Sequence, residues 1–308
     1  MRRSANPHRR PLAGYVLTIV SATLFAINGS VSKLAIDAGG LSTLRWTQVR
    51  STGAFVGLAV ALALTQPALL RVGRREIRKL AIYGVVGFAL VQWLYLVAIT
   101  RLPIGIGLIL EFSAALPIAL WARFAWHEPV RQRVWYALAL VIVGLTLVAR
   151  VWEGATLDTI GVVAGVAAAC ALAFYYLAGE RLVSSRSPIS IVCIALGVTS
   201  VFWAVVQPWW SFPFDSLGEM VEVPRLGAEV PVGALALWTV VLGAIVPFAL
   251  SVSALRHLRA TTVGIVATFE PVAAAAIAWL WLGETFVAIQ ILGGLTVLLG
   301  IVLAETSR

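Results

Sequence analysis

Apolar stretches of membrane-spanning length recur along the whole chain, and no other feature limits the fold so tightly. A helix needs about 20 predominantly apolar residues to cross the hydrocarbon core of a bilayer. Ten such windows follow one another, at 12–36, 42–66, 79–100, 103–124, 134–151, 158–180, 188–210, 231–254, 260–282 and 286–304. Backbone polar groups in lipid must be satisfied within the segment, so each window is expected to be helical. The expected fold class is therefore an all-α integral membrane protein of ten transmembrane helices. Charged residues make up only 12% of the chain, against about 25% in a water-soluble domain. Two connections are long, 67–79 and 211–230, and no segment is large enough for a soluble domain. Function must then lie within the membrane bundle.

The net charge of +9 does not mark a nucleic-acid binder, because the arginines are scattered over membrane-flanking loops without a groove-sized cluster. Cys170 and Cys193 lie inside apolar segments and belong to no metal spacing. The histidines His8, His127 and His257 all fall between or before the windows, and HExxH is absent from the sequence. No metal, cofactor or enzymatic activity is expected. The basic N-terminus, MRRSANPHRRP, precedes a run that reads as a retained first helix and not as a cleaved signal.

Placing the N-terminus in the cytoplasm assigns seventeen of the 23 basic residues to the inner side, including Arg71, Arg74, Arg75, Arg78, Lys79, Arg186 and Arg256. The acidic 211–230 loop then falls outside. This positive-inside bias predicts cytoplasmic N- and C-termini in the cell inner membrane.

An internal repeat adds direction to that arrangement. The span Leu94–Val148 matches Leu250–Ala304 without a gap, 156 positions apart: Ala98 falls on Ala254, Leu102 on Leu258, Ala122 on Ala278, Glu128 on Glu284 and Gly144 on Gly300. Five helices separate the copies, so they must cross the membrane in opposite senses. The loop charges swap accordingly. Linker 67–79 carries five basic residues, whereas 211–230 carries Arg225 and four acids. The expected organisation is a basic N-terminus (1–11), a first five-helix repeat (12–151), a second of inverted topology (158–304) and a short C-terminus (305–308). Inverted repeats are typical of alternating-access carriers, with substrate near the midplane.

The segment SALRHLRATTVGIVATFEPVAAAAIAWLWLGE (253–284), with QILGGLTVLLGIVL (290–303), resembles the drug/metabolite transporter superfamily. Within it the chain is similar to the EamA-type ten-helix carriers, through Glu270-Pro271, Gly283-Glu284 and the Gly293, Gly294, Gly300 series. The first-half copy, 98–128, is looser: Glu111 does not precede a proline, and Pro117 is two residues out of register with Pro271. Overall appearance is closest to bacterial exporters of aromatic amino acids, which implies an amino-acid cargo.

Polar groups at membrane depth face either a cavity or a helix partner. In the first window Thr18, Ser21, Phe25, Asn28 and Ser32 form one helical stripe. The sixth presents Tyr175 and Tyr176 near the place of Asn28, and Phe88, Gln92 and Tyr95 share a face of the third. These residues fit recognition of an amino-acid backbone by hydrogen bonds and of its side chain by aromatic rings. Interhelical hydrogen bonding explains the Ser and Thr members equally well. Glu111 and Glu270 lie about 12–15 Å into their windows and are candidates for proton coupling or substrate contact. Glu270 could instead satisfy the backbone that Pro271 disturbs. Arg45 fits either a carboxylate-steering group or a side chain snorkelling to the headgroups, and Arg50 lies deeper. Of twelve tryptophans, Trp93, Trp121, Trp238 and Trp279 lie deep, and some are expected to line the pathway. Trp238, and Phe269 beside Glu270, complete the expected substrate-binding set.

The expected function is secondary, alternating-access export of neutral or hydrophobic amino acids, aromatic ones among them, or of related small metabolites. The expected partners are this small-molecule cargo, membrane lipid and protons, with the protein acting as a monomer. A nucleotide-sugar, phosphorylated metabolite or lipid-like amphiphile is the alternative cargo. A phosphorylated cargo calls for deep cations in both halves, whereas Arg45 and Arg50 belong to one helix.

Overall fold

The computed structural model describes residues 10–99, 101–102, 104–127, 130–148, 150, 152, 158–223, 227–277, 280 and 287–305. Ten helical spans account for most of them. They are α1 (Pro11–Gly39), α2 (Thr43–Thr65), α3 (Arg74–Ile82 continuing through Tyr83–Leu90 into Val91–Ile99), α4 (Ile104–Phe112 and Ala115–Phe124) and α5 (Gln132–Val148). Then follow α6 (Thr159–Leu182), α7 (Pro188–Val206), α8 (Val232–Val240, Val241–Ile245 and Val246–Ala254), α9 (Ala260–Ala267 and Phe269–Ile277) and α10 (Ala288–Glu305). Among the described residues, seven helices are long and apolar enough to cross a membrane, and Gln132–Val148, Ala260–Ala274 and Ala288–Ala304 are shorter apolar helices.

Helix ends follow local chemistry. Pro11 and Pro188 open α1 and α7, at positions where a missing N–H costs nothing. Ser42 and Asp158 cap α2 and α6 by accepting from Arg45 N (3.3 Å) and Gly161 N (2.8 Å). Gly40, at φ 65°, closes α1 in the left-handed conformation.

The helix breaks also have identifiable causes. Pro271 offers no N–H to Ala267 O, and Pro117 none to Ser113 O, four residues back in each case. The helices break at those places: α9 between Ala267 and Phe269, α4 between Phe112 and Ala115. Pro247 acts likewise on Gly243, inside the π-helical Val241–Ile245. Its counterpart in α3, Tyr83–Leu90, is π-helical without a proline. There Gly84 and Gly87 admit α7 and α6 so closely that a Cβ would lie 2.9 Å from Ala195 O and 3.4 Å from Tyr175 Cα.

Two expectations change. The seventh window, expected to reach residue 210, ends at Val206, because Pro208 cannot continue the helix and Trp209–Ser211 turns away. The 211–230 connection is not a plain loop but contains an antiparallel hairpin, β1 (Met220–Val223) with β2 (Ala228–Pro231). Val221 and Val223 are buried, and Val221 joins a cluster with Ala35, Leu41, Trp46, Phe212 and Ala236 over one end of α1, α2 and α8. Four-residue strands give too short an alternation to stand out in a sequence this apolar.

Packing has the same pattern in both halves. α1 lies against α8 and α9, as α6 lies against α3 and α4. α2 pairs with α7, and α5 with α10. Each of these last pairs is antiparallel: Gln48 donates to Gln207 O, Ser200 to Ser51 O (3.2 Å), and Gly197 abuts Phe55. Individual contacts recur as well. A Cβ on Gly144 would meet Val297 at 2.7 Å, and one on Gly300 would meet Val141 at 2.9 Å. Gly14 stands against Leu258 as Gly161 stands against Leu102.

Candidate functional site

The irregular stretches of α3, α4, α8 and α9 converge on α1 and α6, and the deep polar residues collect there. An aromatic chain forms its wall. Phe25 of α1 meets Phe248 of α8 (centroids 5.0 Å), Phe248 meets Phe88 of α3 (4.6 Å), and Phe88 meets Tyr175 of α6 (5.3 Å). Tyr175 contacts Tyr176 edge-on at 5.0 Å, stacks on Tyr83 at 5.7 Å, and donates its hydroxyl to Ser251 Oγ at 3.1 Å.

Both deep carboxylates belong to this region. The charge of Glu111 is felt at Glu270, and both acids act on Tyr95 and Tyr176. Arg50 approaches from α2. Its guanidinium carbon lies 5.7 Å from the Phe25 ring centre and 5.5 Å from that of Phe248, within the field of Glu270. Glu111, Glu270, Tyr95 and Arg50 are partly buried there. Partly buried polar groups gathered between helices outline a candidate substrate cavity.

Two carboxamides face the same region with unused acceptors. Asn28 is 5% exposed, and its Oδ1 has no hydrogen-bond partner. It packs on the π-helical part of α8, where a Cβ on Gly243 would lie 2.0 Å from Oδ1. Gln92 donates to Phe88 O (2.9 Å), leaving Oε1 buried and unpaired. Buried polar atoms in native proteins are almost always bonded, so two unpaired acceptors in this cluster call for a partner, and a ligand reached by a change of rotamer would supply one.

The structure thus brings together Asn28, Phe88, Gln92, Tyr95, Glu111, Tyr175, Tyr176 and Glu270. Trp238 and Phe269 are half-buried and make no ring contact with this cluster among the described residues. Other polar residues from the sequence serve packing. Ser21 donates to Pro247 O (2.8 Å), and Ser32 accepts from Trp46 Nε1 (2.9 Å). Arg45 neither snorkels freely nor faces the cavity: it clasps the turn after α7, donating to Pro208 O (3.1 Å) and Ser211 Oγ (2.7 Å). Glu128, Ala278, Trp279, Gly283 and Glu284 lie outside the described residues.

Phe248 and Ser251 escaped the sequence reading, although a signal for them existed. The 156-residue offset that relates the repeats places Phe248 on Gln92 and Ser251 on Tyr95. Glu180 was also missed. Its Oε2 accepts from Ala260 N (2.9 Å), so this buried acid caps the start of α9.

A helical bundle with seven helices, among the described residues, long and apolar enough to span a bilayer is the architecture of a multi-pass membrane protein. The chain belongs to the EamA-like transporter family, which it matches twice, over residues 12–150 and 159–306. It is similar to the threonine/homoserine exporter RhtA of Escherichia coli K12, at 27% identity over 258 residues, covering 83% of this chain and 78% of that protein. It is also similar to an uncharacterized transporter of Archaeoglobus fulgidus, at 25% identity, covering 94% of this chain and 96% of the relative. A solved structure described only as a crystal structure of protein shares the fold, with a TM-score of 0.74, 14% identity and 96% coverage of both chains.

Proposed function

We propose that this chain is a secondary exporter of neutral amino acids in the inner membrane, with both termini cytoplasmic. It would work by alternating access between two inverted five-helix halves, 12–151 and 158–304, as a monomer. The observation that carries this reading is the cluster of polar and aromatic side chains where α1 and α6 meet the irregular parts of the opposite halves. It offers a cation, two carboxylates, two unpaired carboxamide oxygens and an aromatic wall. Antiparallel pairing of α2 with α7 and of α5 with α10 is what inverted repeats require, and the double family match favours a duplication. The threonine and homoserine named for the bacterial relatives make small neutral amino acids the first candidates. The aromatic wall suits apolar side chains as well.

Glu270 and Glu111 are the proposed proton-coupling groups, since a carboxylate enclosed at this depth is costly to keep charged without a partner. The test is uptake of labelled amino acids into proteoliposomes, with and without a pH gradient. Threonine or another neutral amino acid should move, and the gradient should change its rate. Movement of phosphorylated metabolites with no transport or competition by amino acids would overturn the substrate class. Unchanged pH sensitivity in both Glu270→Gln and Glu111→Gln would remove the coupling role.

A further inference from the structure

We propose that Arg50 is the carboxylate anchor of this cavity, so that the cargo is recognised as a zwitterion. Its carboxylate would sit on the guanidinium, and its ammonium would turn toward Glu270 and Asn28 Oδ1. The inference rests on the exporter reading and narrows it.

The state of Arg50 differs from that of other arginines in the protein. Arg186 donates to Glu76 Oε2 (2.7 Å), Ser190 Oγ (2.8 Å), Leu69 O (2.9 Å) and Arg71 O (2.7 Å). Arg45 is similarly occupied by Gln48, Pro208 and Ser211. Arg50 instead lies beside two phenyl rings, and its Nε is buried without a partner. Ring faces compensate part of its charge but accept none of its N–H groups in the plane of the guanidinium. Glu270 is close enough for its charge to be felt, yet no ion pair joins it to Arg50 among the described residues.

A planar cation with free donors is matched by a planar two-oxygen acceptor, and a carboxylate meets it with two parallel bonds. The remaining vacant groups nearby have the opposite character. Asn28 Oδ1 and Gln92 Oε1 are acceptors, and Glu111 and Glu270 are acids, so this side of the cavity suits an ammonium. One cation opposed to several acceptors matches an α-amino acid. It matches poorly a phosphorylated compound, which needs more than one cation.

The test uses the full chain in proteoliposomes, with labelled L-threonine and unlabelled competitors. L-homoserine should compete at least tenfold better than L-threoninamide, which lacks the carboxylate charge. Arg50→Gln should raise the KM for threonine by about tenfold or more, the scale of one lost charged contact. It should also bring the acid-to-amide ratio close to one. Arg50→Lys should restore part of the ratio, and Glu270→Gln should leave it in place. The proposal is overturned if wild type accepts the amide as well as the acid, or if Arg50→Gln keeps the preference. Should the variant fail to give a monodisperse protein, the wild-type ratio alone decides. If wild type moves no amino acid at all, the exporter reading falls and takes this inference with it. Threonine transport without carboxylate selectivity removes only the anchor.

Discussion

The two halves share a skeleton and differ in what they hang on it. Both carry a π-helical stretch in the third helix and a break in the fourth, and equivalent glycines stand at equivalent contacts. The side chains facing the cavity are not equivalent. Gln92 stands opposite Phe248 in the alignment of the halves, and Tyr95 opposite Ser251. α2 supplies Arg50, while α7, Pro188–Val206, carries no charge at all. A shared backbone pattern is what the alternating access proposed above would require. An asymmetric lining would make one site with a cationic and an anionic side. Backbone equivalence and chemical polarity are therefore built from different atoms of the same helices.

The sharpest way to break this comparison is at the paired glycines of the π-helical stretches. Gly243→Ala would drive a Cβ to 2.0 Å from Asn28 Oδ1, whereas at Gly87 the nearest atoms of Tyr175 are 3.4 Å away. Gly243→Ala should cut threonine transport by about tenfold or more, because a 1 Å misplacement at a site can cost that much. Gly87→Ala should stay within about threefold, since its Cβ comes no nearer than 3.3 Å to any neighbour and a shift of a few tenths of an ångström by the Tyr83 ring relieves it. Adding Asn28→Ala to Gly243→Ala should recover stability without restoring transport. Equal losses at the two glycines would mean that the lining is less polarised than described.

The clasps at the two ends of the α2–α7 pair give a second contrast. Arg186 reaches two carbonyls of the linker after α2 and the Glu76 carboxylate of α3, and also donates to Ser190 of α7, with 12% of its side chain exposed. Arg45 reaches the turn after α7 with no carboxylate partner among the described residues. Arg186→Gln should destabilise the detergent-solubilised protein by about 1.5–3 kcal/mol, and Arg45→Gln by about 1 kcal/mol. Glu76→Gln should reproduce a salt-sensitive share of the larger loss. A greater effect at Arg45 in thermal melts would reverse the ranking.

Much of this was legible in the sequence, and the exceptions have physical reasons. The ten spans and the depth of Glu111 and Glu270 follow from length and hydropathy, both one-dimensional quantities. Asn28, Gln92 and Tyr175 could be singled out because a polar group in lipid calls for an explanation. Phe248 could not, because one more phenylalanine in an apolar helix carries no signal until the halves are superposed. The role of Arg45 was open for a similar reason. Its partners are backbone carbonyls of the turn after α7, and a sequence does not mark a carbonyl as free. The hairpin 220–231 escaped because its two strands are only four residues each.

The α5–α10 crossing tests the equivalence itself. A Cβ at Gly144 would lie 2.7 Å from Gly293 O, and one at Gly300 2.9 Å from Ala137 O. Backbone atoms cannot swing aside, so Gly144→Leu and Gly300→Leu should each cost about 1–3 kcal/mol, and by similar amounts. Gly29→Ala, with nothing within 4 Å of the added Cβ, serves as a neutral control. If one leucine is tolerated and the other is not, the crossing is not two-fold.

The smallest expected effect separates the loops after α3 and α8. Arg101 lies 3.7 Å from Asp158, an ion pair with both side chains well exposed, which contributes at most about 1 kcal/mol. At the corresponding place His257 accepts a hydrogen bond from Arg10 N through Nδ1 (3.4 Å). Only the neutral imidazole accepts at that nitrogen. Burial, and then the charges of Arg256 and Arg10, hold the His257 pKa below the ordinary histidine value. The folded protein therefore resists protonation there, while the unfolded chain takes up a proton once pH falls below about 6.5. The stabilisation is complete above that pH and is lost as pH falls from it toward the lowered value. His257→Gln should remove about 1–2 °C of the drop in Tm between pH 7.5 and 5.5. Arg101→Gln should leave the drop unchanged, since it keeps the His257 imidazole in place. Equal pH slopes in wild type and His257→Gln would show that the Arg10–His257 contact is insensitive to protons.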